Sequence, residues 1–220
     1  MTIPDGRFTY AKPDRFCLLA VNMKLAFAIV TQLLIAANAF ASSGACVLPG
    51  RGHFQIHVGT AGLFGSFAHN HLIEAEKISG CAAIDPKDPT HSSVKLDFPA
   101  SNIRVLDPKE SEKDRAEVQK TMETEVLRIS EFPRIAFEST SIERTEGPDQ
   151  FRVHGNLTIR GKTQPVTIVV TLTRLSDATY RATGQSKFSQ TSFGIKPIQL
   201  GGGTVKVKDE LEVEFELFLR

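Results

Sequence analysis

The chain has 220 residues, with 26 Lys and Arg against 25 Asp and Glu, for a formal net charge of +1. That balance leaves no basic footprint of the kind nucleic acid requires, and the length suits one domain around one sizeable core. Trp is absent and Tyr occurs twice, whereas Phe occurs 15 times, so the aromatic content sits in the residue without a polar handle and predicts an apolar interior.

Residues 25–37 form a short apolar run after Lys24, and Ala39-Phe40-Ala41 supplies the small-residue cleavage pattern of a secretory signal. The run contains Thr31 and Gln32 and is shorter than the ~20 apolar residues a membrane span needs. Residues 1–41 are therefore expected to be a presequence and cleavable signal peptide, with Met23 as an alternative start, and residues 42–220 the mature domain. Cleavage removes Cys17 and leaves Cys46 and Cys81 as an even pair in a compartment that permits a disulfide. Two unpaired thiols are the alternative.

Further along, Phe54, Ile56 and Val58 alternate with polar residues and claim the inner face of a strand, which turns His53 and His57 outward. The connection Gly59-Thr-Ala-Gly62 folds the chain back toward Ala68-His69-Asn70-His71. In an extended segment His69 and His71 project from one face, near enough to share a metal ion, to recognise a polar head or to serve only as hydrogen-bonded structural groups. Ser111 to Ile129 carries Ala116, Val118, Met122, Val126 and Ile129 along an otherwise charged stretch, which predicts an amphipathic helix. Ser111 and Asp114 form its N-terminal capping pair, and Pro133 bars continuation past Phe132. Such a helix either lids an opening or covers a sheet edge.

Strict alternation then marks long antiparallel strands. Phe151-Val153-Gly155-Leu157-Ile159 and Val166-Ile168-Val170-Leu172 are joined by Arg160-Gly161-Lys162-Thr163 as a hairpin. Tyr180, Ala182, Gly184, Ser186 and Phe188 share one face, and Leu211, Val213, Phe215 and Leu217 alternate with Glu212, Glu214 and Glu216. This is an all-β chain with one helix.

Four segments in order carry a family resemblance: Phe132-Pro-Arg-Ile-Ala-Phe137-Glu-Ser139, Gly155-Asn-Leu-Thr-Ile-Arg-Gly-Lys-Thr-Gln-Pro-Val166, Phe193-Gly194, and Val207-Lys-Asp-Glu-Leu-Glu-Val-Glu-Phe215. Together they resemble the YceI-like family of periplasmic lipid-binding proteins across roughly residues 53 to 220. The resemblance implies an extended lipocalin-like antiparallel β-barrel in the periplasm, holding a polyisoprenoid or another long-chain amphiphile. Many members have one histidine in the region where this chain has His69 and His71.

In a barrel of about eight strands the interior is either just filled by side chains or just able to hold a ligand. The small residues Ala182, Gly184 and Ser186 favour unfilled volume, and large residues opposite them are the alternative. The expected ligand-binding residues are Phe54, Ile56, Phe67, His69, His71, Phe98, Met122, Phe137, Leu157, Ile159, Ala182, Gly184, Ser186, Phe188 and Phe193. The expected ligand is an isoprenoid lipid or isoprenoid quinone, with no other cofactor. Transient contact with a membrane surface and a monomeric or homodimeric state complete the expectation. The rival is a metal-binding or redox-accessory protein centred on His69 and His71. No Gly-x-Ser-x-Gly, His-Glu-x-x-His, Walker or dinucleotide motif is present, so no residue is assigned to catalysis.

Overall fold

Strand β1 (Ser43–Ala61) closes the barrel, because it pairs on both sides. In the computed structural model, which describes residues 43–61, 70–176, 178–200 and 205–220, the remaining elements follow in chain order. They are β2 (His71–Ala75), β3 (Ser79–Ile84), β4 (Ser93–Pro99), β5 (Ile103–Val105), helix α1 (Glu112–Thr121), β6 (Arg134–Arg144), β7 (Gln150–Ile159), β8 (Lys162–Ser176), β9 (Thr179–Ser189), β10 (Gln199–Leu200) and β11 (Val205–Leu219). Residues 1–41, the expected presequence, together with Phe67, His69 and Gly201 to Gly203, lie outside the described residues.

The ring runs β1-β11-β9-β8-β7-β6-β4-β3 and returns to β1, giving a closed eight-stranded antiparallel barrel. This is the expected all-β class with one helix. Strands β2 and β5 are appended through the pairing of Gln55–Val58 with His71–Glu74 and of Ile73–Ala75 with Ile103–Val105. Strand β1 can serve so many partners because it bends. Between the Val47–Leu219 and Gly52–Leu217 pairs, five steps along β1 match two along β11. Gly50 and Gly52 take positive φ there, and a Cβ at Gly52 would stand 1.9 Å from the Glu216 carbonyl oxygen. Only glycine fits that approach. The bend carries residues 43–46 across to β3, where Cys46 stands directly opposite Cys81 in a disulfide.

Polar outward and apolar inward alternation sets the register of the walls. On β11 the outward Glu212 meets Lys187 at 2.6 Å, Glu214 meets His57 at 3.1 Å, and Glu216 pairs with Arg181. His53 and His57 thus face solvent, as Phe54, Ile56 and Val58 require. Such exposed pairs contribute about 0–1 kcal/mol each.

The helix is shorter than its apolar pattern predicts. Ser111 caps it by accepting from the Asp114 N–H, but regular α geometry ends at Thr121 and a π turn spans Met122–Val126. The wider turn brings Met122 into contact with Phe98 and Ile103 in one buried cluster, while Ala116 stays exposed. Helix α1 docks on the free edge of β5 through Gln119. Its Oε1 accepts from the Val105 N–H at 2.8 Å, and its Nε2 donates to the Ile103 carbonyl at 2.9 Å. The side chain thereby stands in for the next strand and satisfies the edge.

Candidate functional site

The barrel encloses a cavity of about 570 Å³. Its wall is built from inward positions that strand alternation selects, and it runs the length of the barrel. At the end nearest the disulfide stand Ala82, Ile84, Leu172 and Leu219, and at the opposite end Val118, Thr121, Met122 and Val126 of the helical segment. Between them the wall is aliphatic and aromatic. The Phe54 ring lies 4.9 Å from Phe98 and 5.6 Å from Phe215, centroid to centroid.

Of the residues expected to bind ligand, Phe54, Ile56, His71, Phe98, Met122, Phe137, Leu157, Ile159, Ala182, Ser186 and Phe188 line this cavity. Two others are placed differently. Gly184 shares the inward face, but the Phe215 ring already fills its space: a Cβ there would stand 2.5 Å from Phe215 Cζ and 2.8 Å from the Val169 carbonyl oxygen. Small packs against large at that position, so Gly184 adds no volume. Phe193 is 1 % exposed and sealed into a core with Ile159 and Ile195, its ring edge-on to Phe188 at 5.6 Å. It supports the wall from behind. Phe67 and His69 lie outside the described residues.

His71 stands at the helix end of the cavity wall. Its Nδ1 lies 2.6 Å from Oδ2 of Asp107, whose Oδ1 accepts from the Leu72 N–H at 2.7 Å. Asp107 is 4 % exposed, and these two contacts satisfy both of its carboxyl oxygens in a site that excludes water. No motif or periodicity singles out Asp107. It follows β5 in the commonplace context Leu106-Asp107-Pro108 and lies 36 residues from its partner. The pairing becomes visible only when β2 and β5 are set side by side. Glu74, on the strand of His71, and Glu76, just past its end, are taken up differently: Glu74 sits opposite Arg104 across the ladder, and Glu76 lies 3.7 Å from the same guanidinium. Among the described residues no three His, Cys, Asp or Glu side chains are grouped as a metal site would need.

The segment after β9 is pinned at the same end. Asp209 accepts from the Thr191 hydroxyl at 2.7 Å and from its N–H at 2.8 Å. The hydroxyl contributes most to holding the Asp209 carboxyl below the ordinary aspartate range, with the Thr191 N–H next. This carboxylate, which the sequence leaves as a surface acid, is a structural clamp that sets Phe193 in place. Arg160, in the hairpin turn with Gly161, donates to the Val126 carbonyl at 3.2 Å and ties the turn to the π segment. Lys162 reaches instead toward Gly194.

A closed antiparallel barrel around an apolar chamber, with one helix across its end, is a lipocalin-like binding fold. The chain belongs to the YceI-like family: the YceI-like domain matches residues 52–219. It is 31% identical over 117 residues to Protein YceI of Salmonella arizonae, covering 53% of this chain and 52% of that one, and equally so to Protein YceI of Salmonella paratyphi B. The chain thus spans about half the length of the curated relatives it matches. Among solved structures it superposes on BcnA of Burkholderia cenocepacia with a TM-score of 0.61 at 19% identity, covering 78% of this chain and 98% of that one. A polyisoprenoid binding domain from Saccharophagus degradans, implicated in plant cell wall breakdown, gives 0.55 at 12% identity, covering 80% and 97%. At these identities the two structures share the fold with this chain.

Proposed function

We propose that the protein sequesters or carries a long-chain apolar amphiphile, a polyisoprenoid or isoprenoid quinone, in the periplasm after export. The observation that carries this reading is the 570 Å³ cavity with its almost wholly aliphatic and aromatic wall. A volume of that order is in the usual range for a ligand pocket, and burial of hydrocarbon there contributes about 25 cal/mol per Å² removed from water. Membership of the YceI-like family and the likeness to a polyisoprenoid binding domain support the choice of lipid. The Cys46–Cys81 disulfide supports an oxidising compartment. The helix end, where His71 meets the apolar wall, is the natural mouth, with α1 as a cover docked by Gln119. Binding in this account needs no chemistry on the ligand, and the protein acts as a carrier and not as an enzyme.

Ser186→Phe tests the reading. Ser186 lines the cavity at mid-depth, between the levels of Ala182 and Phe188 on β9. A ring placed there should fill vacant space, leaving the melting temperature within a few degrees of wild type while lowering affinity for a prenyl chain at least about tenfold. Unchanged affinity would refute a ligand in the barrel. A loss of stability of about 1–3 kcal/mol, the mark of overpacking, would show that the chamber is already full.

A further inference from the structure

Cys46 and Cys81 face away from the chamber. Their chain neighbours Ala45 and Ala82 are buried inside the barrel, so strand alternation turns both cysteines to solvent, and both are exposed. Cysteine is ordinarily among the most buried residues, and an exposed disulfide is open to thiolate attack where a buried one is shielded. The frame around the bond does not depend on it. Residues 43–46 pair with 81–84 through the β1–β3 ladder. On the other side of β1 the Cys46 N–H donates to the Arg220 carbonyl at 2.8 Å, and the Arg220 N–H donates to the Cys46 carbonyl at 2.9 Å.

The same register sets a cation beyond each sulfur. Arg220, just past β11, is directly opposite Cys46, and Lys95 on β4 is opposite Cys81, so the order across the outer surface is Arg220, Cys46, Cys81, Lys95. The two cations differ. Lys95 is paired with Glu138 at 2.6 Å, whereas Arg220 is exposed and enters no ion pair among the described residues.

We propose that the Cys46–Cys81 disulfide is a thiol-exchange site on the folded barrel, at which a small anionic thiol is captured on Cys46. The thiolate approaches past Arg220 and attacks Cys46 Sγ from the side away from Cys81. As the new S–S bond forms, the old one breaks, and its electron pair leaves on Cys81 Sγ, beside Lys95. A second thiolate attacking the mixed disulfide frees both cysteines and departs as the oxidised thiol, and re-attack by Cys81 restores the original bond. The thiol is the only reductant. Because Ala82, Ile84 and Leu219 line the chamber from the inner face of the same strands, exchange removes the covalent tie and leaves that wall in place. The inference holds whatever the chamber carries.

The test exposes the purified, oxidised protein to glutathione, which is anionic, and to β-mercaptoethanol, which is not, at low ionic strength and without denaturant. After quenching with N-ethylmaleimide, peptide mapping should find glutathione on Cys46 and the maleimide on Cys81, while circular dichroism shows the barrel still folded. The rate should stay the same in urea too dilute to unfold the protein. A rate that rises with the unfolded fraction, or glutathione found on Cys81, would overturn the proposal. Arg220→Glu, a change at an exposed side chain, should slow glutathione at least about threefold and leave β-mercaptoethanol unchanged, and added salt should erase the difference. Equal rates for both thiols in the variant and the parent would remove Arg220 from the site and overturn the selection of an anionic thiol.

Discussion

The two ends of the barrel are held by different means. At the disulfide end, Ala45, Ala82, Ile84, Tyr180 and Leu219 form a buried cluster between long strands whose ladders resume on either side of the β1 bend, and Cys46 is bonded covalently to Cys81. At the helix end, short or irregular elements are pinned one by one through side chains. Gln119 holds α1 on β5, Asp107 holds β2 beside the β5 exit, Asp209 holds the segment after β9, and Arg160 holds the π turn. Ladders open only with the whole barrel, whereas single side-chain clamps release singly. One end is therefore the more rigid, and on the proposed carrier reading the other is where ligand would pass.

Substitutions can break that contrast, beginning with the largest effect. Phe193→Ala removes the most deeply buried ring at the helix end and should cost about 3–5 kcal/mol in chemical denaturation. That loss would show that even this end needs a packed plug beneath its clamps. Replacing Cys46 and Cys81 by Ser should cost about 3–4 kcal/mol on the chain-entropy account for a separation of 35 residues, without changing ligand affinity in the folded protein. Loss of affinity at constant folded fraction would show that the disulfide end shapes the site. Gln119→Ala should cost about 1–3 kcal/mol, through the strand-edge groups it leaves unpaired, and should speed ligand release measurably by stopped flow. Equal release rates would deny α1 its role as a cover.

The smallest effect is a pH dependence. Asp209 is held below its ordinary value in the folded state, so its contribution to stability is fully present above the ordinary aspartate range and is lost as pH falls through the lowered folded value. Asp209→Asn should therefore flatten the acid limb of the stability profile and leave stability near pH 7 the less altered the more solvent screens the site. An unchanged acid limb would remove Asp209 from the clamp.

The same contrast explains what the sequence made legible. Strands with strict alternation, such as Leu211 to Leu217 and Phe151 to Ile159, declare their inward faces, and most of the cavity wall follows from them. The Cys46–Cys81 pair was legible as the even pair left once residues 1–41 are read as an expected signal peptide. What escaped depends on contacts between distant segments. Asp107 and Gln119 are ordinary polar residues until β5 is laid beside β2 and α1. Gly184 looked like open space because the sequence cannot show that the ring of Phe215, on the neighbouring strand, lies over it. The early end of α1 arose in the same way, since the π turn at Met122–Val126 answers to the packing of Met122 and not to local propensity.

The central claim is that a long apolar ligand occupies the barrel, and native mass spectrometry of the protein purified from an expressing bacterium, followed by denaturing extraction and metal analysis of the same sample, tests it most directly. The account predicts a bound mass of several hundred daltons that partitions into organic solvent and identifies an isoprenoid chain. A protein without lipid that carries stoichiometric zinc or copper would contradict it and move the function to the histidines.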